Sequence, residues 1–173
     1  MNQALIVLMG LPGSGKSYVA EYIHKKYGFV LLSGEEITTQ MFGTEKVSGK
    51  QYAEVYKSIR QKASELLSHG NSVIIDGTNL KHEFRQQIYN EVKCDSTLLI
   101  YLKVYDDTAL DRISKRNNSC SPETYKKFKN QIEEPFPEEN AFMIISDSYL
   151  LKNVDNILEA WLLETMWSII PAL

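Results

Sequence analysis

The sequence predicts an α/β fold, in which a five-stranded parallel sheet carries helices on both faces and a helical lid. Two observations support this class. Short, continuous apolar runs recur along the chain, as expected of strands that are buried on both faces of a parallel sheet. Stretches with helical periodicity separate these runs, so every connection is strand, helix, strand. The predicted strands are residues 4–9, 29–32, 72–75, 97–104 and 142–145.

Length and composition limit the class of protein. The chain has 173 residues, of which 43% are hydrophobic and 24% charged, and this predicts one domain over residues 1–173. No apolar run approaches the roughly 20 residues of a membrane span, and no signal segment is apparent. We therefore expect a cytoplasmic protein without a membrane partner. The net charge of −3 gives no global basic surface for a long nucleic acid.

Residues 10–17, GLPGSGKS, match the phosphate-binding pattern G-x-x-x-x-G-K-S/T between the first strand and a helix over residues 18–27. Glycines let successive backbone N–H groups point at phosphate oxygens, and the helix N-terminus adds positive partial charge. Lys16 is expected to reach the β- and γ-phosphates of ATP, and the Ser17 hydroxyl to ligate Mg²⁺. The predicted nucleotide-binding residues are Gly10, Pro12, Gly13, Ser14, Gly15, Lys16, Ser17 and Tyr18.

Two carboxylates follow the second strand, in the stretch SGEE at residues 33–36. Ligands of an open parallel sheet bind beyond the carboxyl ends of its strands, so Glu35 and Glu36 are expected near the phosphate-binding loop. One of them can then serve in catalysis. Alternatively, both residues begin the next helix and favour its positive end.

Asp76 directly follows the third strand. A carboxylate at this position helps to hold Mg²⁺ in nucleotide-binding proteins, so we expect Asp76 to be linked to the metal. A turn in which Thr78 or Asn79 caps the next helix is the structural alternative, and both can hold at once. The helix that follows is expected to direct His82 and Arg85 away from the core.

A lid is predicted after the fourth strand. Arg112 and Arg116 lie four residues apart, so they share one face of a helix, which residues 117–120 interrupt. Pro122 then begins a second helix. We expect the two arginines to close over phosphates, whereas the lysines of the second helix form a solvated face. The predicted lid spans about residues 112–134.

Two longer helices carry apolar stripes. Over residues 52–67, Tyr52, Tyr56 and aliphatic side chains recur at helical spacing, which is more typical of a core face than of a base-stacking surface. That helix covers the sheet or forms one wall of a substrate site. The last helix, which Asn153 is expected to cap, is apolar over a wide arc that continues into residues 169–173. It docks on the sheet or forms a homodimer contact.

Residues 4–146 resemble the P-loop kinases related to polynucleotide 5′-hydroxyl kinase, which include zeta-toxin-like and other small ATP-dependent kinases of AAA type. The P-loop alone is shared by many nucleotide triphosphatases. Three further segments look like the family's D-x-T-N segment, its arginine-bearing lid and its late P-x-x-E stretch. In this sequence they are residues 76–80 (DGTNL), Arg112-x-x-x-Arg116 ahead of Pro122, and Glu134-Pro135 with Glu138 or Glu139.

The segment after the second strand departs from the family pattern. The resemblance implies an Asp-Asp-x-Arg type segment, whose first acid is the general base and whose arginine holds a phosphate of the acceptor. Here the matching residues are Glu35, Glu36, Ile37 and Thr38. The resemblance therefore assigns the base to Glu35, whereas Thr38 lacks the bidentate grip that arginine gives to phosphate.

The function that these patterns predict is transfer of the γ-phosphoryl group of ATP to a hydroxyl acceptor, either a nucleic-acid 5′ end or a small molecule. Two alternatives stay open: an ATPase switch whose acceptor is water, and a nucleotide-binding module without turnover. The predicted catalytic residues are Lys16, Glu35, Arg112 and Arg116, and the predicted Mg²⁺ ligands are Ser17 and Asp76.

Overall fold

The computed structural model describes residues 3–44, 47–116 and 120–167. Five strands form one sheet in which all neighbouring strands are parallel, and this confirms the predicted α/β class. The strands are β1 (Ala4–Gly10), β2 (Val30–Ser33), β3 (Val73–Asp76), β4 (Ser96–Lys103) and β5 (Ala141–Ile145), and their order in space is β2-β3-β1-β4-β5.

Helices connect the strands and cover both faces of the sheet. They follow the strands at the positions that the periodicity predicts, with one additional short helix directly after β2. The helices are α1 (Lys16–Tyr27), α2 (Gly34–Phe42), α3 (Gly49–Ser68), α4 (His82–Glu91), α5 (Asp106–Ser114), α6 (Pro122–Lys129) and α7 (Leu150–Trp167); a short 3₁₀ turn spans Pro137–Glu139.

β1 lies at the centre of the sheet, and all of its residues are buried. It pairs with β4 along its whole length, from Ala4 opposite Ser96 to Gly10 opposite Leu102. Alternate side chains of β1 therefore enter two separate cores. One core lies against α1 and α7, and the other lies against α2, α3 and α4. Burial on both faces explains why the strand reads as a continuous apolar run.

A third, smaller cluster joins α5 and α6 to the loop that follows β1. Its buried members are Leu11, Leu80, Ala109, Ile113 and Tyr125. The cluster packs these two helices over the carboxyl end of the sheet. None of the helices in the described part of the chain is long and apolar enough to cross a membrane.

The structure corrects several local expectations. The residues after β2 begin α2 instead of forming a loop, which is the alternative that the sequence left open. The last helix begins at Leu150, so Asn153 lies inside its first turn and is not its cap. Neither Thr78 nor Asn79 caps α4, because Lys81 occupies the N-cap position. The apolar tail at residues 169–173 lies outside the described residues, as does most of the predicted helix break.

Candidate active site

The loop between β1 and α1 is built on glycines that no other residue can replace without strain. Gly13 has φ +79°, and a Cβ atom there would lie 2.7 Å from the backbone oxygen of Ala109. At Gly10, with φ +154°, a Cβ would lie 2.6 Å from the backbone oxygen of Leu102. The backbone thus packs against β4 and α5 too closely for a side chain, and positive φ is the region that glycine alone enters freely. These contacts hold the loop in the curled form that its sequence pattern predicts.

Lys16 is the first residue of α1 and is nearly buried, with 9% of its surface exposed. Its Nζ donates a hydrogen bond of 2.9 Å to the backbone oxygen of Leu11. Burial lowers the pKa of Lys16, and the carboxylates of Asp76 and Glu35 oppose that shift, whereas Arg116 adds to it. An anion beside this amine would favour its charged form. The side chain is therefore suited to hold phosphate.

Asp76 and Glu35 reach the same site from the ends of two neighbouring strands. Asp76 is the last residue of β3, and Glu35 lies in the first turn of α2, which follows β2. Asp76 lies in register with Ser33, the last residue of β2. Ser33 is also the N-cap of α2, because its Oγ accepts a hydrogen bond of 3.3 Å from the Glu36 backbone N–H. Parallel strands end at one edge of the sheet, so this pairing places the start of α2 beside Asp76. Of the two adjacent glutamates, the cavity beside the loop is lined by Glu35 and not by Glu36.

The two predicted arginines take different places. Arg112 donates from Nη1 to the backbone oxygen of Gly13 at 3.0 Å and to Oγ of Ser146 at 2.8 Å. It therefore ties α5 to the phosphate-binding loop and to the end of β5. Arg116 follows the last turn of α5 and lines the cavities on both sides of the loop.

Two cavities flank the phosphate-binding loop, and we call them the larger and the smaller cavity. The larger has a volume of about 600 Å³ and the smaller about 460 Å³, both within the usual range for small-molecule sites. Of the predicted nucleotide-binding residues, Gly10 and Ser14 line neither cavity; Ser14 is fully buried, and its backbone N–H donates to the backbone oxygen of Leu11 at 3.1 Å. The larger cavity is lined by the predicted site residues Pro12, Gly13, Gly15, Lys16, Ser17, Glu35, Asp76 and Arg116. The smaller is lined by Gly13, Gly15, Tyr18, Arg112 and Arg116.

The oxygen groups of Ser17 and Asp76 fit the demands of Mg²⁺. Magnesium prefers hard oxygen ligands and keeps several waters, so a hydroxyl and one carboxylate beside bound phosphates suffice. Both residues line the larger cavity. Within the described ranges there is no group of three or more His, Cys, Asp or Glu residues that could hold a metal without such help.

Comparison with known proteins gives the family and the fold of this chain. The family model described as AAA domain (AAA_33) matches residues 5–135, more than half of the chain. The chain belongs to the AAA_33 family. A search of curated protein sequences finds no match.

Three solved structures of kinases share this fold. A sugar kinase from Janibacter sp. HTCC2649 has a TM-score of 0.73 and 18% identity, over 92% of this chain and 94% of that one. A gluconokinase from Sinorhizobium meliloti 1021 has a TM-score of 0.70 and 20% identity, over 95% of each chain. The APS kinase CysC of Mycobacterium tuberculosis, solved with AMPPNP and APS, has a TM-score of 0.68 and 15% identity, over 91% and 96%. At these identities the likeness establishes the fold.

The sequence interpretation missed a buried ion pair beneath this AAA_33 site. Arg85 was expected to point away from the core, but it is fully buried. Its Nε and Nη2 donate to the two carboxylate oxygens of Glu139 at 2.7 and 2.9 Å, and its Nη1 donates to the backbone oxygens of Asn79 and Leu80. The resemblance to a late P-x-x-E stretch named Glu139 beside Glu138, and the D-x-T-N-like segment supplies the Asn79 and Leu80 carbonyls, but Arg85 itself lies outside both segments.

Asn79 connects the same segment to the phosphate-binding loop. It has φ +45° and is fully buried, and its Nδ2 donates to the backbone oxygen of Leu8 at 2.7 Å. The Gly10 N–H donates to the backbone oxygen of Thr78 at 3.1 Å. The segment after β3 therefore supports the end of β1 from below, which is a positioning role that a helix-capping interpretation did not include.

Proposed function

We propose that this protein is an ATP-dependent kinase that transfers the γ-phosphoryl group to a hydroxyl acceptor. One observation carries the proposal: the larger cavity brings Lys16 of the phosphate-binding loop and the carboxylates Glu35 and Asp76 to one space, with Arg116 at its border. Phosphoryl transfer needs few parts beyond positioned phosphates, compensating charge and a base for the nucleophile. All of these are available around this cavity.

On this proposal the phosphates lie against the backbone N–H groups of Gly13 and Gly15 and the N-terminus of α1, where the helix dipole favours negative charge. Lys16 contacts the β- and γ-phosphates. Ser17 and Asp76 would hold Mg²⁺, which when bound supplies positive charge next to the phosphate oxygens.

The proposed chemical step moves one proton and one phosphoryl group. The acceptor oxygen forms a bond to the γ-phosphorus as the bond from that phosphorus to the bridging oxygen breaks, and ADP leaves with the electron pair. Glu35 accepts the proton of the acceptor hydroxyl. Arg116 and Lys16 stabilise the charge that develops on the transferred group. Arg112 holds the loop in place through Gly13, so its contribution is to position the phosphates.

The kinase neighbours support this proposal through their fold, and the APS kinase was solved in complex with AMPPNP and APS. The resemblance to polynucleotide 5′-hydroxyl kinase is compatible with the same chemistry. We further propose a single domain over residues 1–173 with a lid over about residues 112–134, because α5 and α6 pack together above the carboxyl end of the sheet. A homodimer contact through α7 stays a prediction.

The test compares Glu35→Gln with Glu36→Gln, which is a matched control on the adjacent residue. Glutamine keeps size and hydrogen bonding but cannot accept the proton, so we expect Glu35→Gln to lower kcat by at least about 100-fold. Glu36→Gln should retain its rate. Transfer of labelled γ-phosphate to a panel of alcohols gives kcat, and calorimetry gives ATP affinity, which should change little in either variant.

Three outcomes would contradict the proposal. Full rates in both variants would show that no carboxylate after β2 acts as the base. Rapid phosphate release from ATP and Mg²⁺ that no alcohol diverts would identify an ATPase instead of a kinase. Binding without turnover in any mixture would identify a nucleotide-binding module.

A further inference from the structure

The larger cavity extends beyond the phosphate-binding loop between α2, α3 and α6, and we call this extension the acceptor chamber. The charged side chains that line the whole cavity, within the described part of the chain, are Lys16, Glu35, Asp76 and Arg116. The two cations belong to the phosphate end on the proposed function. With a nucleotide bound, the chamber therefore faces two carboxylates and a triphosphate, and a second anion would be repelled.

Thr38 occupies the position at which the resemblance places an arginine, and an arginine there would add a positive charge to the chamber. Its side chain is turned back into α2, where Oγ1 donates a hydrogen bond of 2.6 Å to the backbone oxygen of Gly34. Thr38 is buried and lines the chamber without offering a cation. The position that would hold a phosphate of the acceptor is thus neutral.

Aromatic rings of α3 form one wall of the acceptor chamber. Tyr52 and Tyr56 lie one helical turn apart on α3, with ring centroids 6.2 Å apart and planes inclined by 24°. Tyr56 stacks in turn on Phe84 of α4 at 5.0 Å and 20°. Tyr56 is 6% exposed and Tyr52 is 37% exposed, so the stack is anchored in the core and its outer ring reaches the chamber. Such fixed rings can stack on a flat ligand at little cost in conformational entropy.

The rest of the lining agrees with a largely apolar ligand. Val55 and Ile59 continue the α3 wall, and Phe128 of α6 lies across from them. Ser121 and Thr124 add neutral hydroxyl groups at the start of α6. A site of this kind rewards shape and stacking, and it offers hydrogen bonds without charge.

We propose that the acceptor is an uncharged small molecule that carries its hydroxyl on or next to a flat ring, as nucleosides do. This inference rests on the proposed kinase function and names the substrate class of the same site. Because the chamber faces two carboxylates and the bound triphosphate, and Thr38 adds no cation, it disfavours acceptors that already bear a phosphate or carboxylate. The tyrosine stack selects the ring.

The first test measures transfer of labelled γ-phosphate, as kcat/KM, to a panel of alcohols. Uridine, adenosine and pyridoxine are neutral alcohols on flat rings; uridine 3′-monophosphate adds one phosphate to the same 5′-hydroxyl compound; ribose lacks the flat ring; gluconate is an anion without one; and a 5′-hydroxyl oligonucleotide is a polyanion. We expect the best of the three neutral ring alcohols to have a kcat/KM at least tenfold higher than the monophosphate, ribose, gluconate and the oligonucleotide. If uridine is a substrate, its kcat/KM should exceed that of its 3′-monophosphate.

A higher kcat/KM for the monophosphate, gluconate or the oligonucleotide would overturn the proposed acceptor class. The kinase function would still hold in that case if the transfer to the preferred acceptor is lost in Lys16→Ala. Ribose as the best acceptor would likewise overturn the role of the ring. If none of the ring alcohols accepts phosphate, the acceptor class is wrong; the kinase function fails as well only if no alcohol of the panel is phosphorylated.

The second test uses Tyr52. Stacking on one aromatic side chain corresponds to roughly 5- to 160-fold in affinity, so Tyr52→Ala should raise the KM of the ring acceptor by that factor and leave the KM of ATP unchanged. Tyr52→Phe keeps the ring and should restore the KM. Tyr105→Ala is the control, because Tyr105 is 72% exposed and lies outside the cavity lining. An acceptor KM within twofold of wild type in Tyr52→Ala would overturn the stacking role.

Discussion

Replacement of Glu139 by glutamine should strongly destabilise the fold, although Glu139 lies in a connector and touches no substrate in the proposed mechanism. Its carboxylate accepts two of the four hydrogen bonds that the fully buried Arg85 guanidinium donates, and another, of 2.8 Å, from the Phe136 backbone N–H. The substituted glutamine would remove the compensating charge and direct an amide N–H₂ group at a donor. Breaking one side of a buried, hydrogen-bonded ion pair costs about 3–5 kcal/mol.

The assay is urea and thermal unfolding followed by circular dichroism. For a chain of this size, 1 kcal/mol lowers Tm by about 2–4 °C, so Glu139→Gln should lower Tm by roughly 6–20 °C. Glu138→Gln is the matched control, because the adjacent glutamate is exposed, and it should change the free energy of unfolding by less than about 0.5 kcal/mol. A loss below about 1 kcal/mol in Glu139→Gln would refute the inference that this ion pair holds the connector to the segment after β3.

The same pair predicts the acid sensitivity of the protein. Burial alone would raise the pKa of Glu139, but the hydrogen bonds from Arg85 and Phe136 outweigh it and hold the pKa below its usual 4.5. The stabilising contribution is therefore fully present above pH 4.5 and is lost as pH falls through the folded-state value. We expect the stability difference between wild type and Glu139→Gln to shrink as pH falls below 4.5. A constant difference in urea titrations down to about pH 3 would contradict this linkage.

Three further predictions concern the phosphate end of the site. Lys16→Ala should abolish phosphoryl transfer and leave Tm nearly unchanged, because the one hydrogen bond found for Nζ in the described structure goes to its own loop; near-normal turnover would sink the kinase proposal. Arg116→Ala should lower kcat on the order of 10³-fold with little change in ATP affinity, whereas Arg112→Ala should mainly weaken ATP binding, because Arg112 holds Gly13; steady-state kinetics and calorimetry separate the two, and equal effects would contradict their distinct roles. Burial lowers the pKa of Lys16, so ATP affinity should decline with rising pH before 10.5 is reached, and Lys16→Ala should show no such step.

Several features of this protein could be predicted from local patterns in the sequence. The strands β1, β3 and β4 are continuous apolar runs because both of their faces are covered, and such a run is visible without knowing what covers it. The edge strand β5 is equally apolar, although four of its five residues are exposed. The glycines of the phosphate-binding loop are fixed by spacing, since the loop folds around its own backbone. The positions of Glu35 and Asp76 follow from one topological rule, that ligands bind beyond the carboxyl ends of parallel strands.

Contacts between segments that are distant in sequence became visible only in the folded structure. The sequence predicts that Arg85 faces solvent, because an arginine is rarely buried without a charged partner. Its partner Glu139 lies 54 positions away along the chain, so the local pattern does not reveal the pair. The distinct places of Arg112 and Arg116 have the same origin. Their four-residue spacing predicts one shared helix face, but α5 ends before Arg116, and only Arg112 is tied to the loop, through the backbone oxygen of Gly13, 99 positions before it. The different surroundings of Tyr52 and Tyr56 on α3 are also visible only in the structure. Phe84 of α4 stacks on Tyr56, which is buried, whereas Tyr52 stays exposed at the chamber. Local pattern carries no information on such partners, because side-chain burial and pairing depend on which elements the fold brings together.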